Sequence, residues 1–437
     1  MSNFDVYIGL DFGTSFSKVC YNVKGDLYVY KRDASPYIPT EIYYSKENKE
    51  VFINKNLNSK HLIPVKYFKY SMVFDPIIDE KINKSLPINL TYKQINIIFS
   101  IYFLACLVKE VKHEIIKKYY KNINTDNIKW EINMSAPIDD YHREIYDLYN
   151  DVLNSAYILA SEDQLEYFHI DKINEIYNNI QNNKIMKNDI LSIHPELFVE
   201  AVYFTENNIY GLDYGSYMIM DIGGGTVDIG ILWKRKWSNT ETKYDLIVIS
   251  IIQYGVEKIV DELKKIGIGK QDGVNILVYG KHDRKVESIN DFFIKNIKKM
   301  IEIEGNNPKT GIDNINDKRI YYAGGGCSLL WYKNIVNSIK NNRITEDIIP
   351  INLLPLNYDN KKQDVHRLII AMELANPVDK IERNLGTTII INGEKIIPGD
   401  DFSKIEIIET CIIRNEPRNY HNDLQDRQRD IYGDNPI

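Results

Sequence analysis

The sequence is poor in cysteine and has none of the spacings that make cysteine functional. Four occur in 437 residues, at Cys20, Cys106, Cys327 and Cys411, and none form a CxxC pair or a metal-ligand spacing. This usage fits a reducing compartment and argues against a disulfide scaffold or a zinc site. It predicts a cytoplasmic protein.

A basic surplus is also missing. The chain carries 54 lysines and arginines against 61 aspartates and glutamates, a formal net charge of −7 at pH 7. No basic face for a phosphate backbone is expected from this balance. We therefore expect no nucleic-acid partner.

Long hydrophobic runs and a leader are absent as well. The N-terminus, MSNFDVY, lacks the basic, apolar and small-residue regions of a signal peptide. The longest apolar run, Ile95 to Val108, contains Asn96 and Ser100 and falls short of the ~20 residues of a bilayer span. The sequence predicts a buried helix here and no association with a membrane.

Several common catalytic signatures do not occur. The chain has no P-loop, no GxGxxG after a first strand, no HExxH and no nucleophile elbow. Its length suffices for two or more domains, or for one large two-lobed unit, each able to bury its own core.

The most informative segment present is YMIMDIGGGTVDIGILW, from Tyr217 to Trp233. Apolar residues up to Asp221 predict a buried strand, after which the chain must reverse within Gly223-Gly224-Gly225. Consecutive glycines leave backbone N–H groups open to a bulky anion, and Thr226 adds a hydroxyl. The carboxylates of Asp221 and Asp228 beside such a cradle favour hydrated Mg²⁺. The segment predicts half of a nucleotide site.

The first strands repeat the same order of residues. Val6 to Lys31 alternates like a three-strand meander, and its first turn places Asp11 before Gly13, Thr14, Ser15 and Ser17. One Asp-Gly turn is an ordinary hairpin. Two copies, whose aspartates stand 210 positions apart, predict an internally duplicated, two-lobed protein that clamps one polyphosphate from both sides.

These two segments carry a family resemblance. IGLDFGTSFSKV (Ile8 to Val19) and MDIGGGTVDIGIL (Met220 to Leu232) resemble the phosphate motifs of the actin-like ATPase superfamily, and are most similar to the nucleotide-binding domain of DnaK-type heat-shock chaperones. Matching segments extend over roughly the first 380 residues. The resemblance implies an α/β fold of two lobes, each a ribonuclease H-like sheet flanked by helices, with ATP or ADP and Mg²⁺ in the cleft between them.

The resemblance also implies the domain organisation. Lobe I is expected over 1–205 with an upper subdomain over about 36–115, lobe II over 206–360, and a helix returning to lobe I within 361–385. The remaining 386–437 is expected to hold a short β extension and a polar, disordered tail. The roughly 60 residues after the returning helix are too few for the peptide-binding sandwich and lid of such chaperones.

Two further segments resemble family motifs. HPELFVEAVYF, from His194 to Phe204, is similar to the hinge motif, which implies that Glu196 helps to hold the metal's water shell. Leu197 replaces the usual proline and Glu200 stands among the small residues, which puts the coupling of nucleotide state to lobe rotation in doubt. From the residues alone, Glu196 is equally an ordinary first-turn glutamate.

Glycine turns complete the resemblance. RIYYAGGGCSLLW, from Arg319 to Trp331, is similar to the adenosine motif. Taken alone it is a common strand-to-helix connector. The turn at Gly255 has one glycine where the family has two, because Tyr254 stands in place of the first. The ligand contacts implied by these two turns are Gly255, Gly324, Gly325, Gly326 and Ser328.

A lysine of the first lobe contacts the γ-phosphate in this family. The candidates are Lys55, Lys60, Lys66 and Lys69, and their spacing favours Lys55 or Lys60. Most of them are expected to be surface charges.

The resemblance assigns the remaining roles. Asp11 and Asp221 would position hydrated Mg²⁺, while Asp228, Glu196 or Asp221 would orient the attacking water. The residues implied to hold phosphate are Gly13, Thr14, Ser15, Ser17, Gly223, Gly224, Gly225 and Thr226.

The expected function is slow ATP hydrolysis that acts as a conformational switch for a protein partner. Self-association into an actin-like filament, a small-molecule kinase and a pseudo-enzyme that binds nucleotide without hydrolysing it remain alternatives.

Overall fold

A computed structural model describes most of the chain. The described residues are 5–53, 62–73, 90–121, 128–137, 143–182, 184–206, 215–236, 242–252, 254–280, 319–327, 329–339 and 367–383, with 287, 290–291, 294–295, 357, 389–390 and 412–413.

The described elements of the first half include a five-strand path, a small separate sheet and long helices. In chain order they are β1 (Val6–Asp11), β2 (Phe16–Val23), β3 (Asp26–Val29), β4 (Ile38–Pro39), β5 (Glu41–Ser45), β6 (Glu50–Phe52), β7 (Leu62–Lys66), α1 (Phe68–Val73), α2 (Tyr92–Tyr119), β8 (Trp130–Ala136), α3 (Arg143–Leu159), β9 (Tyr167–His169), α4 (Ile170–Gln181), β10 (Leu191–Pro195) and α5 (Glu196–Glu206).

The second half holds another sheet and the helices around it. Its described elements are β11 (Gly215–Ile222), β12 (Val227–Lys236), β13 (Thr242–Ile252), α6 (Val256–Lys265), α7 (Lys270–Tyr279), β14 (Arg319–Ala323), α8 (Leu330–Ile339), α9 (Ile369–Leu374), α10 (Val378–Arg383), β15 (Ile389–Ile390) and β16 (Ile412–Ile413).

The first sheet mixes antiparallel and parallel pairs. Its order is β10-β8-β1-β2-β3, and β4 also pairs with β2. β1, β2 and β3 are joined by short turns and run antiparallel, as the predicted meander requires. β8 lies parallel to β1 and β10 parallel to β8. Parallel neighbours need long crossovers, which α2 and α3 supply.

The second sheet has the order β13-β12-β11-β14. β11, β12 and β13 run antiparallel, and β14 lies parallel to β11. The order of strand directions in β3-β2-β1-β8 is therefore found again in β13-β12-β11-β14. The chain has a mixed α/β fold with mixed sheets.

The chain over 38–45 forms two short strands that belong to different sheets. β4 ends at Pro39 and pairs with β2, whereas β5 begins at Glu41 and pairs with β6 and β7 in a separate sheet. Thr40 lies between them, and its hydroxyl donates to the carbonyl oxygen of Gly13 at 2.9 Å. Proline has no N–H for a sheet ladder, which favours a change of sheet at this position.

The apolar run that begins at Ile95 lies within α2, as the sequence predicts. Thr91 and Gln94 form a capping box at its start. In the described part of the chain α2 alone is long and apolar enough by composition to cross a membrane, and 83% of its most apolar window is buried inside the molecule. Such burial is typical of the core helix of a folded domain.

Helix α9 packs against the first sheet, although it lies far away in sequence. A Cβ at Gly9 of β1 would come within 2.3 Å of the carbonyl oxygen of Ala371 and 2.5 Å of the amide nitrogen of Ala375. The side chain of Asn133 donates to the carbonyl oxygens of Leu374 and Asn376, at 2.9 and 3.0 Å. This contact requires glycine at position 9.

The expected β extension after residue 386 lies mostly outside the described residues. Within it, β15 and β16 pair antiparallel, with Ile389 opposite Ile413 and Ile390 opposite Ile412.

The packing of α9 on β1 makes a first prediction. Gly9→Ala should lower the free energy of unfolding by about 1–3 kcal/mol, because backbone atoms of α9 must move to admit the methyl group. Chemical denaturation measures this. Gly273→Ala in α7 is the matched control, since the same methyl would lie 3.4 Å or more from its neighbours. Equal stability of the two variants would contradict the close contact.

Candidate functional site

One cavity is lined by residues of both glycine hairpins. Its volume of about 80 Å³ is several times the ~10–15 Å³ that one water needs. It therefore has room for a phosphate group or a hydrated ion. The lining residues are Asp11, Gly13, Thr14, Ser15, Phe16, Lys18, Lys69, Glu196, Glu200, Asp221, Gly223, Gly224, Thr226, Gly324, Gly325, Arg367 and Ile370.

The turn after β1 and the turn after β11 approach each other closely. A Cβ at Gly224 would lie 2.2 Å from Ser15 Oγ, and one at Gly225 would lie 2.8 Å from the ring of Tyr70 and 3.4 Å from Thr14 Cγ2. Ser15 Oγ is buried and has no hydrogen-bond partner among the described residues. The glycines are needed because the two turns meet, and Ser15 keeps a free hydroxyl at their junction.

Backbone hydrogen bonds from the start of α6 fix the conformation of the second turn. The amides of Gly255 and Val256 donate to the carbonyl oxygens of Gly225 and Gly223, both at 3.0 Å, and that of Glu257 donates to Gly224 at 2.9 Å. The carbonyl oxygens thus point towards the helix, the orientation that an anion-binding turn requires.

Gly255 does not line the cavity, although the sequence predicts that it contacts the ligand. A Cβ there would lie 2.6 Å from the backbone of Gly224, so this glycine supports the turn. Ser17 is likewise turned away from the cavity, because its buried hydroxyl shares a 2.9 Å hydrogen bond with Thr40.

Asp11 is neutralised by a residue that the motifs do not single out. Lys18 lies opposite Asp11 in the β1–β2 register, and its Nζ is 2.5 Å from Asp11 Oδ2. Directly opposed side chains on an antiparallel pair are the natural sites of such contacts. The hairpin register, once known, would have identified Lys18.

Glu196 is buried in the cleft, not an ordinary surface glutamate. Its Oε1 lies 2.7 Å from Lys69 Nζ, and both side chains are 8% exposed. Burial lowers the pKa of Lys69, but the charge of Glu196 and the hydrogen bond to it outweigh this effect and leave the pKa raised. Lys69 therefore keeps its positive charge beside Glu196.

Two of the four lysines expected to contact the γ-phosphate, Lys66 and Lys69, lie among the described residues. Lys69 reaches the cavity, whereas Lys66 is 54% exposed and pairs with Glu41. Lys55 and Lys60, which the spacing favours, lie outside the described residues.

Three buried carboxylates form a cluster, of which Glu196 and Asp221 line the cavity. Glu196, Asp221 and Asp228 each offer an oxygen within 4.8 Å of the others, and Asp221 lies opposite Asp228 in the β11–β12 register. Oδ1 of Asp221 and Oδ1 of Asp228 have no hydrogen-bond partner in the described structure. Unsatisfied hard oxygen donors in this arrangement fit a divalent cation such as Mg²⁺. Asp11, the other expected metal residue, is instead paired with Lys18.

The protonation of this cluster is strongly perturbed. Burial raises the pKa of Asp221 to about 7, and the charges of Glu196 and Asp11 add to the rise. Burial and neighbouring carboxylates also raise the pKa of Asp228 and of Glu200 well above the usual range. Glu200, which interrupts the small residues of the hinge motif, therefore adds a further buried acid to the cleft. Asp221, Asp228 and Glu200 therefore keep their protons to higher pH than ordinary carboxyl groups.

The third glycine turn closes the cavity beside Asp221. β14 is parallel to β11, with Ala323 opposite Asp221. Gly324 has φ +76° and a Cβ there would lie 2.0 Å from Asp221 Oδ1, so only glycine fits. Gly325 also lines the cavity, whereas Gly326 packs against Ile222 and donates to its carbonyl oxygen at 2.9 Å. Ser328 lies outside the described residues.

Comparison with known proteins gives one short similarity. No protein-family model matches the chain. A stretch of 46 residues is 48% identical to the movement protein Hsp70h of Beet yellows virus (isolate Ukraine) and covers 10% of this chain and 8% of that protein. The chain is thus similar, over that stretch, to a viral Hsp70 homologue, which agrees with the resemblance of its motifs to heat-shock chaperones.

The raised pKa of Asp221 makes a prediction for the protein with chelator and without nucleotide. Between about pH 4 and 7 the folded state keeps a proton that the unfolded state releases. The free energy of unfolding should therefore fall as pH rises, by up to about 1.4 kcal/mol per pH unit from this group. Asp221→Asn should reduce that slope, whereas Asp163→Asn on the surface should not. Denaturant unfolding across this range is the measurement, and identical slopes would refute the assignment.

The buried ion pair makes another prediction. Lys69→Met should cost about 3–5 kcal/mol of unfolding free energy, because Glu196 would be left buried without a counter-charge. The double variant Lys69→Met/Glu196→Gln should recover most of this loss. Chemical denaturation of the wild type and the three variants, including Glu196→Gln alone, gives the coupling energy. Additive effects would show that the two groups are not paired.

Proposed function

We propose that the chain is an actin-like ATPase of the heat-shock chaperone type, which binds ATP with Mg²⁺ in the cleft and hydrolyses it slowly. The observation that carries this proposal is the meeting of the two turns that follow Asp11 and Asp221, from opposite halves of the chain, at one cavity. A polyphosphate is the ligand that glycine turns on both sides of a cleft suit best.

The topology of the two sheets supports a duplicated, two-lobed fold. Each of the two sheets carries an antiparallel meander with a parallel strand beside its first member. In both sheets the first hairpin turn faces the cavity. A duplicated, two-lobed arrangement with the nucleotide between the lobes accounts for this correspondence.

The phosphate chain would lie between the two turns. The backbone amide of Gly224 and the hydroxyls of Thr14, Ser15 and Thr226 would donate to its oxygens, whereas the amide of Gly223 already donates to the carbonyl oxygen of Thr226. Glu196, Asp221 and Asp228 would hold Mg²⁺, which when bound supplies charge neutralisation for the phosphates. The unpartnered oxygens of Asp221 and Asp228 are the groups available to orient a water molecule.

Hydrolysis at such a site depends on positioning and charge, and turnover is expected to be low without a partner. The proposed role is a nucleotide-dependent switch for a protein partner in the cytoplasm. A second candidate is a protein that binds nucleotide without hydrolysing it. Glu200 favours it, because a further buried acid occupies the cavity that must hold phosphate, at a position where the resembled hinge motif has small residues.

The test is equilibrium binding of ATP with and without Mg²⁺, followed by single-turnover hydrolysis. Wild type should bind in a magnesium-dependent way, and Asp221→Ala should lose this binding, because the cation loses a carboxylate ligand. Asp163→Ala, an exposed aspartate away from the cleft, is the matched control. Absence of nucleotide binding by wild type would refute the proposal, and binding without turnover would support the pseudo-enzyme.

Sedimentation of the ATP-bound protein separates the switch from a filament. We expect no pellet. A polymer with a sharp critical concentration would show that the chain belongs to the filament-forming class.

A further inference from the structure

Arg367 differs from the other cations that line the cavity. Lys18 is paired with Asp11 and Lys69 with Glu196. Arg367 has no carboxylate partner among the described residues, and its buried Nε has no hydrogen-bond acceptor there. Its positive charge is therefore available to an anionic ligand.

The guanidinium is held in a fixed plane. Its central carbon lies 3.9 Å from the ring centroid of Tyr37 and 5.7 Å from that of Phe16. Phe16 follows the first phosphate turn and is 40% exposed. Stacking on an aromatic face orients the N–H groups of an arginine before a ligand arrives, which lowers the entropy that binding costs.

Arg367 lies beside the third glycine turn. A Cβ at Gly325 would be 3.6 Å from its Nε and 3.7 Å from its Nη2. The absence of a side chain at Gly325 leaves the edge of the guanidinium open to the cavity. Arginine in this setting binds phosphate through two parallel hydrogen bonds.

We infer that Arg367 is a phosphate-binding residue of the cleft, which contacts the nucleotide's phosphate chain on the side of the third glycine turn. This inference rests on the proposed function. It also explains how a cavity rich in carboxylates attracts a polyanion, since the charges of its lysines are already matched by Asp11 and Glu196.

The experiment is isothermal titration of wild type, Arg367→Met and Arg367→Lys with three probes in the presence of Mg²⁺: ATP, tripolyphosphate and adenosine. Arg367→Met should weaken ATP and tripolyphosphate on the order of 10- to 100-fold and leave adenosine unchanged. Arg367→Lys should restore part of the affinity, because it keeps the charge. Lys265→Met, a 65% exposed cation, controls for net charge, and thermal unfolding confirms that each variant folds.

The outcomes separate the two proposals. Wild-type ATP binding that Arg367→Met leaves intact overturns the role of Arg367 and not the nucleotide site. Loss of affinity that Arg367→Lys does not restore, with equal weakening of adenosine, also overturns it, because the arginine would then stack on the purine. Tripolyphosphate binding that depends on Arg367, without any binding of ATP, supports the anion site and refutes the ATPase.

Discussion

The close approach of two glycine turns is the constraint on which the site depends. The backbone at Gly224 lies so near Ser15 that one added carbon would overlap its hydroxyl. Two sheets from distant parts of the chain are thereby brought to contact distance at the ends of β1 and β11. A strand places an aspartate at each of these ends, so the approach that forms the cavity also supplies its acids. A side chain at Gly224 would force Ser15 to turn its hydroxyl away or the two turns to move apart.

Charge is the second constraint. Carboxylates outnumber the cations around the cavity, and three buried ones, Glu196, Asp221 and Asp228, have oxygens within 4.8 Å of one another. Such a group is unfavourable unless protons or a cation accompany it. The Lys18–Asp11 and Lys69–Glu196 ion pairs offset part of the free-energy cost of burying these carboxylates. A bound ligand would offset the rest. Among the described residues, Asp221 Oδ1 has no hydrogen-bond donor and Arg367 Nε has no acceptor, and both residues line the cavity. The first group suits a cation and the second suits an anion. A metal-bound polyphosphate satisfies both.

Local patterns predict the hairpins well. The strand, aspartate and glycine order around Asp11 and Asp221 indicates both turns, and the apolar run from Ile95 to Val108 indicates α2. The partners of these residues are set by distant contacts that no local pattern encodes. Lys18 meets Asp11 because of the β1–β2 register, and Lys69 meets Glu196 because of the way α1 packs. Arg367 reaches the cavity because it precedes α9, which returns to the first sheet. The same reason explains why Gly255, a glycine at the expected turn, supports the site and does not line it.

The late position of α9 in the chain has a consequence for biosynthesis. This helix covers β1 at Gly9, yet its residues emerge from the ribosome more than 350 positions after that strand. Until then the part of β1 that α9 covers lacks this helix. Apolar surface exposed during synthesis promotes aggregation, so this part of the first sheet is protected only after residue 374 has been synthesised.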